Sequence, residues 1–209
     1  PKFVEVPTDN GGLIPEELDK ILSTTPNCKF IYVIPDFQNP TGRTWSMERR
    51  QKFMEVVNKH NLPVLEDNPY GELRYEGTIL PSLKSMDTKG LVMFLGTFSK
   101  IFCPGLRLGW IAAEHSLLSE FVKIKQSADL HTSNFDQGVA DAYMEQYDLD
   151  AHVKEIVALY KHRRDLILES MEKYFPAGTE WTHPEGGLFL WLTFPEGVSA
   201  RKVFNKCIE

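Results

Sequence analysis

Phe30-Ile31-Tyr32-Val33-Ile34-Pro35 is a short, continuously apolar run stopped by a proline. A run of this length without polar alternation is the pattern of a strand buried on both faces of a parallel sheet, where helices cover either side. Beyond the turn-rich stretch that follows, Met47, Phe53, Met54 and Val57 recur near helical spacing. Ser46 is placed as the N-cap and Pro63 lies past the far end. Residues 63–66, 91–95 and 108–113 then read as three more short apolar strands. Strands interleaved with helices define an α/β domain with a mainly parallel sheet.

Downstream, helices are expected near 116–130, 135–146 and 151–174. The last carries Val153, Ile156, Tyr160, Ile167, Met171 and Phe175 as one apolar stripe, read as core packing. Residues 188–194, after Pro184-Glu185-Gly186-Gly187, read as a strand of a second kind, and 199–208 as a helix. The expected division is therefore a large domain over 1–149, followed by a linking helix and the start of a small α+β domain over 150–209. A first residue other than methionine and a last residue inside a helix read as a fragment of a longer protein.

Hydrophobic residues at 42% and charged residues at 25% are an ordinary globular mixture, which excludes disordered and fibrous classes. The net charge of -6 is spread along the chain, so no basic surface for nucleic acid is expected from this segment. Cys28, Cys103 and Cys207 are odd in number and form no C-x-x-C pair, which fits free thiols in a reducing compartment, the cytoplasm. The histidines show no zinc spacing, and no apolar run is long enough to span a bilayer, so neither a metal site nor a membrane segment is expected.

In open parallel sheets, ligands bind beyond the carboxyl ends of the strands. The loops expected there hold Asn39-Pro40-Thr41-Gly42, then Asp67 to Tyr70, then Thr97-Phe98-Ser99-Lys100. Taken singly, each has an ordinary reading: a turn for the first, a cap for Asp67, a surface amine for Lys100. Together they differ. A lysine at the ligand edge, flanked by hydroxyls and followed in the same loop by Arg107, suits an anionic carbonyl cofactor.

These segments, with Pro104-Gly105-Leu106-Arg107-Leu108-Gly109 and Glu185-Gly186-Gly187-Leu188-Phe189-Leu190-Trp191, resemble the fold type I pyridoxal-phosphate-dependent aminotransferases over nearly the whole chain. The branch containing aminoadipate and kynurenine aminotransferases is the most similar in character. The resemblance implies an enzyme that moves an amino group from an amino acid to a 2-oxo acid using pyridoxal 5'-phosphate. Lys100 would hold the cofactor through its amine and shuttle the substrate's α-proton. Asp67 would face the ring nitrogen and keep it protonated, while Asn39 and Tyr70 would donate to the phenolate oxygen. Thr97, Ser99 and Arg107 would hold the phosphate. The catalytic set is thus Lys100, Asp67 and Tyr70.

The resemblance also implies a homodimer. It puts an aromatic ring stacked on the cofactor before Pro1 and the arginine for the substrate carboxylate after Glu209, so this segment alone is expected to bind the cofactor weakly or not at all. Two other readings stay open: the effector-sensing domain of a transcription regulator, and a fold type I lyase or decarboxylase. A basic winged-helix segment upstream would favour the regulator.

Overall fold

The computed structural model describes residues 2–208. The apolar runs become β3 (Ile31–Val33), β4 (Val64–Asp67), β5 (Val92–Thr97) and β6 (Gly109–Ala112), paired in the order β3-β4-β5-β6. The first three are parallel, with Ile31 level with Val64 and Val64 level with Val92. β6 runs antiparallel to β5 because the chain reverses in a tight 3-10 turn at Pro104–Leu106, too short for the crossover a parallel strand needs. Ahead of the sheet lie a short hairpin, β1 (Thr8–Asp9) with β2 (Gly12–Leu13), and α1 (Pro15–Thr24).

One sheet face carries the core. Ile31, Val33, Val64 and Val92 meet Leu18 of α1, Phe53, Met54 and Val57 of α2 (Met47–His60), and Leu83 of α3 (Leu83–Met86). α2 starts where expected, the Ser46 hydroxyl accepting from Arg49 N–H at 3.2 Å. Glu66, buried on this face, closes α3 by accepting from the N–H groups of Leu83 and Lys84, both at 2.8 Å; burial nevertheless pushes its carboxyl above the usual range. The opposite face is less covered. Tyr32 is 53% exposed, so the expectation of a first strand buried on both sides fails: among the described residues helices pack against one face only there.

After β6 come α4 (His115–Ala128), α5 (Asn134–Gln146) and α6 (Leu149–Tyr174). The α6 stripe is not core as expected, since Ile167 is 48% and Phe175 38% exposed. The expected strand at 188–194 also shrinks. Only β8 (Leu192–Thr193) pairs, with β7 (Glu180–Trp181), and α7 (Ala200–Cys207) follows from its cap at Ser199. The cause is tertiary: Gly187 N–H donates to Leu73 O at 2.8 Å and Tyr75 Oη donates to Gly187 O, so this backbone is committed to the loop after β4 rather than to a strand partner.

Phe37, fully buried, is the seat of that docking. A Cβ on Gly186 or Gly187 would come within 2.3 Å of its side chain. Gly42, at φ +68°, sits under the Phe189 carbonyl, which a Cβ would meet at 2.4 Å. Gly42→Ala is expected to cost roughly 1–3 kcal/mol from backbone strain alone, read as a lowered urea midpoint; an unchanged midpoint would contradict this close approach. No helix among the described residues is long and apolar enough to cross a membrane.

Candidate active site

The carboxyl ends of β3, β4 and β5 lie side by side and present the expected residues from their last positions and following loops. Asp67 is the final residue of β4, and Thr97 of β5. The 38–43 loop after β3 is a closed turn: Gln38 N–H donates to Arg43 O at 2.9 Å, and Gln38 Oε1 accepts from Thr41 N–H at 3.0 Å. It holds exposed Asn39, joined to Pro40 by a cis peptide bond and near enough to Tyr70 to act on its phenol.

Tyr70 is buried and stacks edge-on against Phe189, ring centroids 5.4 Å apart. Burial raises its phenol above the ordinary range and the Asp67 charge adds to this, while the contact with Asn39 opposes it. Asn39, Asp67 and Tyr70 are therefore one electrostatic unit, drawn from the loop after β3, the end of β4 and the loop after β4. Sequence reasoning missed a fourth member: Tyr32 donates from its hydroxyl to Asp67 Oδ2 at 2.5 Å.

The second group lies in the loop between β5 and β6. Thr97 Oγ1 donates to Leu108 O at 3.1 Å and accepts from Ser99 N–H at 3.1 Å, so one hydroxyl shapes the turn that leads into half-buried Lys100. Arg107 adopts the left-handed conformation, φ 54°, which turns its guanidinium back over the loop to donate to Pro104 O at 3.0 Å and Ser99 Oγ at 3.4 Å. Arg107 itself is exposed. Thr97, Ser99 and Arg107 thus form a cationic, hydroxyl-lined corner beside Lys100.

The donor set fits pyridoxal phosphate. A carboxylate is available for a ring N–H, two donors for a phenolate oxygen, a guanidinium and hydroxyls for a phosphate, and an amine between them.

Residues 2–209 match the model of the aminotransferase class I and II family. The chain belongs to that family. Aromatic-amino-acid aminotransferase 1 of Thermococcus litoralis is 42% identical over all of this chain and 51% of its own length. The crystal structure of Pyrococcus horikoshii kynurenine aminotransferase, in complex with PMP, superposes over 100% of this chain and 52% of that one, at a TM-score of 0.94 and 40% identity. An uncharacterised HTH-type transcriptional regulator of Bacillus subtilis, YisV, is 32% identical over 87% of this chain and 37% of its own length. This aminotransferase-family chain spans about half the length of its enzyme relatives.

Proposed function

We propose that the whole protein is a pyridoxal-phosphate-dependent aminotransferase acting on an amino acid and a 2-oxo acid. The observation that carries this is the meeting, at three adjacent strand ends, of the Asn39–Tyr70–Asp67 unit with the Thr97–Ser99–Arg107 corner beside Lys100. When bound, the cofactor supplies an electron sink that makes the substrate's α-proton removable. Lys100 would hold it through its amine and would move the proton at the substrate's α-carbon. Asp67 would face the ring nitrogen, Asn39 and Tyr70 would donate to the phenolate oxygen, and Thr97, Ser99 and Arg107 would hold the phosphate. The closeness of named aminotransferases supports this reading.

We assign residues 1–149 to the large cofactor-binding domain and 150–209 to the linking helix and the start of the small domain. Exposed apolar side chains on α4 and α5, Phe121, Ile124, Phe135 and Val139 among them, favour a homodimer. Three free cysteines favour the cytoplasm. The spread negative charge disfavours nucleic-acid contact through this segment.

The test is a visible absorbance spectrum of the whole protein, with and without Lys100→Ala, followed by a panel of amino acids. A Lys100-dependent band that one amino acid converts to the amine form of the cofactor supports transamination. The likeness to an HTH-type regulator keeps a sensing role as the second reading, and a band that no amino acid converts would favour it. Absence of any band would defeat the cofactor assignment. Asp67→Asn, which removes the charge and keeps the shape, is expected to lower kcat about 100-fold; steady-state kinetics showing less than a few-fold change would remove Asp67 from its role.

A further inference from the structure

Tyr32 projects from the middle of β3, on the sheet face that Asp67 shares. Tyr32 is level with Leu65, and Asp67 lies two places further along β4 on the same side. The ring bridges that diagonal, and its hydroxyl donates to Asp67 Oδ2 at 2.5 Å. This is the short contact expected of a charge-assisted O–H···O⁻ hydrogen bond. Among the described residues no donor is bonded to Asp67 Oδ1, so that oxygen is left for a ligand.

From this arrangement we infer that Tyr32 is a positioning residue for Asp67: its hydroxyl fixes the carboxylate with one oxygen turned to the cofactor ring. The inference rests on the proposed cofactor reading. A carboxylate pinned at one oxygen loses rotational freedom, so its alignment with a ring N–H is set before the cofactor arrives.

The phenol responds in kind. Partial burial raises its pKa first, and donation to the Asp67 charge raises it further, so Tyr32 keeps its proton through the neutral range and remains a donor. Tyr70 is the other titratable group against Asp67, and it too is held protonated, chiefly by burial. Two neutral phenols and one carboxylate therefore form the base of the site. Nothing in an apolar run with a single tyrosine announces this, because the ring alone accounts for its place in a strand.

Tyr32→Phe retains the ring and deletes the donor, and Asp67→Asn supplies the reference background. In the whole protein Tyr32→Phe is expected to lower kcat roughly 10-fold, as for loss of one hydrogen bond to a charged group, with KM for the amino donor unchanged and pyridoxal phosphate held less tightly in equilibrium dialysis. In the Asp67→Asn background the same change should add nothing. Cofactor-free protein labelled with ¹³C-tyrosine gives a second readout: the Tyr32 Cζ resonance should titrate at lower pH once Asp67 is neutral. Equal effects of Tyr32→Phe in both backgrounds, or a Tyr32 titration indifferent to Asp67→Asn, would overturn the inference. A Tyr32 resonance that responds to Asp67 in a protein with no Lys100-dependent absorbance band would instead sink the cofactor reading, and the positioning role with it.

Discussion

Lys100→Ala in the whole protein is expected to remove the visible cofactor band and lower amino transfer by about 10⁴-fold or more, since one amine serves as both tether and proton carrier. Tether and proton carrier are separable in principle, and Lys100→Arg separates charge from either. A guanidinium keeps the positive charge beside the Thr97–Ser99–Arg107 corner but stays protonated at any working pH, so it can neither attack a carbonyl nor accept a proton. Lys100→Arg should therefore be as inactive as Lys100→Ala while retaining more non-covalent cofactor, because the corner that would take the phosphate is left intact. The two variants are compared by single-turnover kinetics and by cofactor content after dialysis. Wild-type turnover in Lys100→Ala would mean that this half-buried amine is an ordinary lysine at a sheet edge, and the assignment of the whole constellation would fall.

The expected residues were legible because ligand-edge loops concentrate groups that a buried strand cannot hold. Asp67, Tyr70, Thr97, Ser99, Lys100 and Arg107 all follow or end apolar runs, and the structure brings them to neighbouring strand ends. What stayed hidden depended on partners far along the chain. Asp36 and Phe37 carry no local signal, yet Asp36 is neutralised by Arg50 from inside α2, and Phe37 is the seat for Gly186 and Gly187. An arginine in a helical pattern reads as a solvent residue, and nothing nearby says that Arg50 points into the protein. Leu188-Phe189-Leu190-Trp191 misled for the converse reason: its β-propensity is high, but Leu73 and Tyr75 take the backbone groups of Gly187 and commit the segment to a loop. α1 escaped notice as well; Pro15 and the acidic Glu16 and Glu17 mark its start, but its apolar face is narrow until α2 is packed against it.

Arg50 is where the largest loss of stability is expected. Its side chain is fully buried and donates to Asp36 Oδ1 at 2.6 Å, Pro81 O at 3.0 Å and Trp45 O at 3.3 Å, tying the ends of three segments to α2. Removing one partner of a buried ion pair strands the other charge, at a cost of about 3–5 kcal/mol. Arg50→Ala falls near the lower end of that range because Arg74 stands by: its Nη2 lies 3.7 Å from the same Asp36 oxygen and has no hydrogen-bond partner among the described residues, so it can move in to neutralise the carboxylate. Arg50→Met with Asp36→Asn should recover part of the loss, since no bare charge then remains, and adding Arg74→Met to Arg50→Ala should deepen it. Urea denaturation of the four proteins measures these differences; a cost for Arg50→Ala below about 1 kcal/mol would place the pair in the range of surface ion pairs and refute its burial. The consequence reaches the site. Asp36 also accepts from Asn68 Nδ2 at 3.4 Å, one residue beyond Asp67, and lies just ahead of the turn that carries Asn39. A chain that loses this ion pair should therefore loosen the Asn39–Tyr70–Asp67 unit before it unfolds, and in the whole protein bound cofactor should be released at a lower urea concentration than the one that melts α2.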